Sequence, residues 1–199
     1  MKVLIGCEES GVGRRAFEKR GHEVISVDLK PPRDGARNHH CGDIVEFLGL
    51  CPNEYYDLGI FHPECTKVAV CGNRTWAGTV ARTAQIEWIC NLWELAKLKC
   101  RRVCFENPAS VIWRPLRGLG AAVQYVQPWQ FGHMEQKKTG LGLHNLPPLR
   151  ETENVYEQMM QLPKSQRERV FYMSPGQNRS RDRSQSYAGI LEAMADQWQ

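Results

Sequence analysis

Apolar and polar positions alternate in short blocks along the front of the chain. "KVLIG" (2–6) is a short continuous apolar run of the buried-strand kind. "GVGRRAFEKRG" (11–21) is a glycine turn leading into a helix that Gly21 stops, and "EVISVD" (23–28) is a β-branched second strand ending on Asp28. "PPRDGARN" follows as a loop, "GDIVEFLG" reads as a short third strand or a helix, and "YYDLGIFHP" is another strand. Residues 79–99 place Val80, Ala84, Ile89, Leu92, Trp93 and Ala96 near helical spacing, which predicts one long helix. "RRVCFENP" (101–108) is the next strand, stopped by Pro108. "AAVQYVQPWQ" and "TGLGLHNLPPL" predict two more, and a helix over about 187–198 closes the chain.

Strand–helix alternation with short loops predicts an α/β fold whose central sheet is mainly parallel and covered by helices on both faces. Ligands of such sheets gather at the carboxyl ends of the strands. The unusual residues fall there: Gly6 to Gly11, Asp28, His62 to Cys65, and Glu106 to Pro108.

Composition narrows the class without naming it. A chain of 199 residues with 42% hydrophobic and 24% charged residues is of ordinary globular make-up and long enough for one domain with a real core. No apolar run approaches the roughly 18–20 residues that span a bilayer. The opening "MKVLIGCEES" meets charge at Glu8 and lacks a signal peptide's apolar stretch, so a cytoplasmic location is expected. The eight cysteines are scattered without C-x-x-C spacing, which fits buried small residues better than a disulfide framework. "NHHC" (38–41) has no second ligand pair at finger-like spacing, and no metal is expected.

The net charge of +4 matters through its distribution. Residues 164–183 carry Lys164, Arg167, Arg169, Arg179, Arg181 and Arg183 against Glu168 and Asp182. Such a cluster is either a phosphate-contacting surface or a solvated loop. Residues 174–186 read as mobile.

Two constellations carry chemistry. In "LIGCEESGVG" (4–13) followed by "VISVD" (24–28), a glycine-rich turn after the first strand allows close approach of a ligand, and Asp28 can accept hydrogen bonds from both hydroxyls of a ribose. Gly6, Gly11 and Gly13 do not form G-x-G-x-x-G, and Glu8 with Glu9 would repel phosphate. A nucleoside carrying positive charge fits better, as in the sulfonium and ammonium of S-adenosylmethionine. The second constellation is "HPECT" with "FENP", in which neighbouring strand ends deliver Cys65 and Glu106 to one side of the sheet. Carbon 5 of a pyrimidine is a poor nucleophile. A thiolate adding at carbon 6 makes it enamine-like, while a proton or hydrogen bond at ring nitrogen 3 stabilises the developing charge. Asn107 is expected to hold the local turn.

These motifs, in this order, resemble a short, phage-type DNA (cytosine-5) methyltransferase. "LIGCEESGVGRRAFEKRGHEVISVD" resembles the family's cofactor-binding opening, "GDI" (42–44) its adenine-contacting acidic motif, "HPECT" its nucleophile loop, and "FENP" its catalytic glutamate motif. "QPWQFGHMEQKKTGLGL" stands in place of the strand that contacts the target nucleotide, and "RSQSYAGILEAMADQW" resembles the closing helix beside strand one. The resemblance implies a Rossmann-like S-adenosylmethionine-dependent methyltransferase fold, S-adenosylhomocysteine as product, DNA as partner and a role in restriction evasion. It implies that Gly6, Glu8, Ser10 and Gly11 border the methionine part of the cofactor and that Asp28 holds the ribose. Leu29 would pack on the adenine and Asp43 with Ile44 would read its edge, with Pro63 and Ser186 also in the cofactor site. Cys65 would attack carbon 6 and Glu106 would engage the cytosine. Lys137 or Lys138 would stand where the family has an arginine.

The departures are informative. Glu8 and Glu9 replace a pair of glycines, and Glu64 replaces the proline that directly precedes the nucleophile. A carboxylate there would raise the Cys65 thiol pKa and slow attack unless it points away or pairs with a base, for which His62, Lys137 and Lys138 are the candidates. The interval that holds a target-recognition domain in sequence-reading relatives holds a short basic loop, about 164–186, within a single catalytic domain. Weak sequence specificity is therefore expected, or specificity supplied by a second subunit (a homo-oligomer or a specificity partner) or by a short exposed loop, with arginines, Tyr172 and Trp76 as the material for holding a flipped base. Two other readings keep the fold: a catalytically inactive protein that binds nucleic acid or cofactor, and a methyltransferase acting on RNA or a free cytosine nucleotide.

Overall fold

Two apolar runs lie side by side at the centre of the molecule. β1 (Lys2–Gly6) pairs in parallel with β4 (Leu58–Phe61) on one side and with β2 (Glu23–Asp28) on the other. β3 (His39–Cys41) extends the sheet beyond β2, and β5 (Val103–Pro108) continues it beyond β4, both parallel. β7 (Thr139–His144) then runs antiparallel to β5, and β6 (Ala122–Val126) forms the edge beside β7. Among the described residues the order is β3-β2-β1-β4-β5-β7-β6. The computed structural model covers residues 1–199 and describes all of them except Pro175, Gln177, Asn178 and the side chains of Ser180 and Arg181.

Helices cover both faces because the strand side chains alternate. Val3 and Ile5 of β1 point into a cluster with Phe17 of α1 (Val12–Glu18) and Leu191 and Met194 of the closing helix, α10 (Ala188–Gln197). Leu4, one residue out of phase, joins Ile44 of α2 (Ile44–Gly49), Ile89 and Trp93 of α4 (Val80–Lys99), and Trp113 of α5 (Trp113–Gly118) on the other face. A four-residue helix, α3 (Asn73–Trp76), precedes α4. Where the composition reads as a mobile basic loop, the described residues form short helices: α7 (Lys164–Arg167), α8 (Arg169–Tyr172) and α9 (Arg179–Ser184), preceded by α6 (Tyr156–Met160).

Two local readings of the sequence resolve against first appearance. "GDIVEFLG" is helical because the Asp43 carboxylate accepts from the backbone of Val45 and Glu46 and starts α2. The third strand is instead the polar "HHC" just before it. There the His39 ring takes up Ser26 Oγ at 2.8 Å and the Lys30 carbonyl at 2.9 Å. In α4, Val80 and Ala84 are exposed while Arg82 is buried, the reverse of what apolar spacing predicts. Arg82 turns inward because it binds the carbonyls of Lys67 and Ala69 and the Asn73 side chain, so it holds the loop that follows β4. No helix among the described residues is long and apolar enough to cross a membrane.

The start of α10 is fixed by backbone contact. The Gly189 N–H donates to His133 Nε2 at 3.0 Å, and a Cβ at 189 would overlap the Phe131 carbonyl oxygen. Gly118, at the end of α5, meets nothing within 4 Å. Gly189→Ala is expected to cost about 1–3 kcal/mol, the usual penalty of overpacking. Gly118→Ala is expected to be neutral or to gain about 0.5 kcal/mol. Urea denaturation of the two variants checks both.

Candidate active site

The carboxyl ends of β4 and β5 are adjacent, with Phe61 in register with Phe105, so the next residues of each strand meet. His62 follows Phe61 and Glu106 follows Phe105. His62 Nδ1 lies 2.8 Å from Glu106 Oε2, and the two side chains are 9% and 13% exposed. Ser186 Oγ, from the linker before α10, stands 3.5 Å from the same carboxylate oxygen. One step further along each strand, Asn107 Nδ2 donates to the Pro63 carbonyl at 2.8 Å. Asn107 thus spans to the loop after β4 instead of holding only its own turn.

Cys65 lies just past this tie, half-buried. Its carbonyl accepts from the backbone of Val68 and Ala69, which curls the loop into a turn. Burial and then Glu106 raise the Cys65 thiol above its ordinary value, and Lys137 opposes them. Glu64, the expected cause of such a shift, is exposed, so the carboxylate that acts on the thiol is the proposed catalytic partner, Glu106, and not the sequence neighbour. His62 likewise pairs with Glu106 and not with Glu64.

Burial opposes ionisation of Glu106. The His62 hydrogen bond and charge, Lys137 and the Ser186 hydroxyl outweigh it and hold the carboxyl below the ordinary range. Burial likewise opposes a charged His62, and its bond to Glu106, the Glu106 charge and Glu8 outweigh it and raise the imidazole. Both shifts favour the ion-paired form of the contact, an imidazolium facing a carboxylate. The pair lines a narrow recess of about 10 Å³, the size of a single water site, together with Lys137, Thr139, Ser186 and Met194. The two lysines separate here. Lys137 belongs to this recess and donates to the Gln185 carbonyl at 3.2 Å, whereas Lys138 is exposed with its Nζ 4.3 Å from the centre of the Tyr125 ring.

A second cluster forms at the ends of β1 and β2. Cys7 takes a left-handed conformation (φ 58°) and donates its N–H to the Val27 carbonyl at 2.7 Å, so the chain turns back over β2. Burial, then Asp28 and Asp43, push its thiol up to about 12, which places both carboxylates at this corner. Gly11 caps α1 in a left-handed conformation, and Glu8 Oε1 supplies the missing side-chain cap by accepting from the Val12 N–H at 2.8 Å and from Ser10 Oγ. Gly6 is packed against Phe61, where a Cβ would stand 2.5 Å from the ring. Ile44 is buried, while Leu29 is 75% exposed just beyond Asp28. The structure brings Cys65, Glu106, Lys137 and Ser186 to one site, and Gly6, Glu8, Ser10, Gly11, Asp28, Leu29, Asp43 and Ile44 to the neighbouring corner. Pro63, buried, lies between the two on the β4 loop.

Whether a cationic nucleoside suits that corner can be judged from its polar atoms. Among the described residues, Glu8 Oε2, His62 Nε2 and Asn107 Oδ1 are buried without a protein partner, Glu8 and His62 just past the ends of β1 and β4 and Asn107 in the last residues of β5. Buried polar atoms normally find partners, so an unmatched carboxylate oxygen here suits an ammonium. The basic side chains nearby are matched to carboxylates: Arg14 and Arg15 to Asp34, Lys30 and Arg33 to Glu9. That arrangement fits S-adenosylmethionine and disfavours a phosphate.

The sheet order with its reversed β7 is that of the Rossmann-like S-adenosylmethionine-dependent methyltransferases. Solved structures with this architecture include a methyltransferase of Entamoeba histolytica (11% identity, TM-score 0.53, 77% of this chain and 57% of that one). A prophage-encoded E. coli protein described as a DNA modification methyltransferase is similar (12%, 0.50, 82% and 56%). So is a S-adenosylmethionine-dependent methyltransferase of Archaeoglobus fulgidus (12%, 0.50, 72% and 86%). The chain spans little more than half the length of the first two. At these identities the likeness is one of fold. No protein-family model and no curated protein matches the chain.

Three contributors here lay outside the sequence reading of the site: His62 as the partner of Glu106, Asn107 as a tie between strands, and Arg82 as an anchor for the loop after β4. Only His62 left a signal, as a polar residue directly ahead of "PEC" at a strand end. Asn107→Ala removes a buried bond and leaves the Pro63 carbonyl unmatched, with an expected loss of about 1–3 kcal/mol measured by urea denaturation. The His62–Glu106 pair also gives a pH signature. His62 is raised, so its contribution is full below the ordinary imidazole value of 6.5 and is lost as pH rises through the folded value. Glu106 is lowered, so its contribution is full above the ordinary value of 4.5 and is lost as pH falls through the folded value. The Tm difference between wild type and Glu106→Gln is expected to be greatest between pH 4.5 and 6.5 and to shrink on either side, as thermal melts across pH will show.

Proposed function

We propose that the protein transfers a methyl group from S-adenosylmethionine to carbon 5 of cytosine in DNA. The observation that carries this reading is the meeting of Cys65 and Glu106 at adjacent strand ends, beside a corner with the polarity of a cationic nucleoside site. The fold adds support, as does the E. coli prophage protein described as a DNA modification methyltransferase.

Bound at the β1–β2 corner, S-adenosylmethionine would supply an electrophilic methyl group. Glu8 and Ser10 would face its amino-acid end, Asp28 the ribose hydroxyls, and Leu29, Asp43 and Ile44 the adenine. Gly6 and Gly11 keep the turn close, and Pro63 and Ser186 border the passage between the sites. Cys65 attacks carbon 6 of the cytosine as thiolate. Glu106 meets ring nitrogen 3, and Lys137 stands close enough to favour the thiolate electrostatically. The basic segment bears on the same place, because an Arg183 guanidinium nitrogen lies 3.7 Å from the Sγ of Cys71, on the nucleophile loop. Arginines at this position suit the phosphates flanking an extruded base.

One observation favours a non-catalytic reading, the elevated Cys65 thiol, which lowers the thiolate fraction at neutral pH. Methyl transfer from labelled S-adenosylmethionine to duplex DNA, single-stranded DNA, RNA and free deoxycytidine nucleotides decides between the readings. DNA is expected to accept label, and Cys65→Ala to lose at least about a thousandfold, equivalent to about 4 kcal/mol of transition-state stabilisation. Label on RNA or nucleotides alone would move the substrate class. No label on any cytosine substrate between pH 6 and 9 would leave binding as the function.

A further inference from the structure

Cytosine activation places a demand on Glu106 that its resting state does not meet. As carbon 6 takes the sulfur, ring nitrogen 3 gains an electron pair and needs a proton, yet the interactions around Glu106 favour the carboxylate. A carboxylate can only accept. The proton therefore has to come from whatever Glu106 is bonded to, and the bonded group is His62 Nδ1 at 2.8 Å.

We infer that His62 is a positioning residue that keeps the catalytic proton for Glu106, the pair holding one proton that rests on the imidazole and passes through Glu106 to ring nitrogen 3. This deepens the methyltransferase reading and rests on it. An imidazolium beside a carboxylate contains the same number of protons as an imidazole beside a carboxylic acid, so the shift along a 2.8 Å bond needs no exchange with solvent. Burial of both partners keeps that proton from being lost to water. The groups facing the pair are Glu8 from the β1 end, Cys65 from the β4 loop, Cys104 on β5, Lys137 ahead of β7, and Ser186 and Tyr187 ahead of α10. Glu8 favours a charged imidazole and Lys137 a charged carboxylate.

The step balances. The Cys65 thiol has lost its proton to solvent, and its sulfur pair forms the bond to carbon 6. The C5=C6 pair becomes a C4=C5 bond, and the N3=C4 pair takes the proton from Glu106. That proton reaches Glu106 from His62 Nδ1 in the same movement, which leaves a neutral imidazole, a Glu106 carboxylate and an N3–H that donates to it. Elimination of the thiolate reverses the sequence and returns the proton to His62. In the adduct, carbon 5 can take a proton from water and release its own, so exchange of the carbon 5 hydrogen reports addition without any methyl donor.

The test is tritium release from DNA containing 5-tritiated cytosine, without cofactor, from pH 5 to 8. In wild type the pair stays singly protonated below the imidazole midpoint while the thiolate fraction grows, so the rate is expected to rise about tenfold per pH unit up to that midpoint and then flatten. His62→Asn keeps an amide donor at the Nδ1 position but holds no transferable proton. It is expected to show a flat profile above about pH 5 and a rate about a hundredfold below wild type at pH 6.5, the ratio set by the two-unit gap between ordinary imidazole and carboxyl values. A merely structural His62 would be rescued by asparagine. His62→Asn with wild-type rate and rising limb overturns the inference and leaves the methyltransferase reading standing. Wild type that releases no tritium from any cytosine substrate overturns the reading itself, and this inference with it. Pairing is read separately by NMR titration of the His62 ring: its midpoint is expected to fall by more than one pH unit in Glu106→Gln, and an unchanged midpoint overturns the inference. If His62→Asn melts below assay temperature, His62→Gln replaces it with the same expected profile.

Discussion

A buried hydrogen bond between His62 and Glu106 joins the ends of the two central parallel strands, and the rest of the site is arranged around it. Two charges taken out of water carry a desolvation cost of several kcal/mol each, which is recovered only when geometry is good and remaining polar atoms are matched. Among the described residues His62 Nε2 has no protein partner, so the recovery rests on three contacts around the pair: the Asn107–Pro63 bond that fixes the strand ends against one another, the Lys137 charge and the Ser186 hydroxyl. Each comes from a different part of the chain. The pairing of β4 with β5 sets the first, the reversal of β7 delivers Lys137, and the packing of α10 on α1 delivers Ser186. A one-residue slip of β4 against β5 would turn His62 to the opposite face and dissolve the arrangement.

The two halves of this edge of the sheet differ in electrostatic character. At the β1–β2 corner, arginines and a lysine are matched to Asp34 and Glu9, while Glu8 keeps an unmatched oxygen, so the local field suits a cation. At the β4–β5 end the Glu106 carboxylate is taken up by His62 and Glu64 is exposed, while Lys137 and Arg183 lie close by and would suit an anion such as a nucleic-acid backbone. A positively charged methyl donor and a polyanionic acceptor would therefore approach from sides of opposite polarity. That separation is the physical content of the proposed function, and it explains why two glutamates are tolerated in the glycine turn.

The basic segment takes a compact form. It folds as α7, α8 and α9, with Arg169 on Glu135 and Arg183 on Cys71, and so leans on the same edge of the sheet. Phe171 and Tyr172 remain more than half exposed on α8, beside the site in sequence but outside its core. Such a surface offers charge and stacking, which hold a strand without reading its bases, in keeping with a proposed enzyme of low sequence specificity.

Much of the architecture was legible from local pattern. The bounds of β1 and β2, the long helix from residue 80, and the closing helix follow from apolar runs and periodicity that each element carries within itself. "HHC" escaped because it is polar and acquires strand geometry only by pairing with β2, and "GDIVEFLG" was ambiguous until Asp43 capped it. Candidate chemistry was legible as residue types at strand ends: Cys65, Glu106 and Asp28. What the sequence by itself determined was therefore which reactive groups exist and that a parallel sheet would place them on one edge. Only the tertiary structure decided which of them touch. Lys137 and not Lys138 faces Glu106, His62 pairs with Glu106 and not Glu64, and Arg82 turns inward to hold a loop. These choices depend on strand register, pleat and the direction of a side chain, and such distances between remote residues leave no trace in the order of neighbours along a chain.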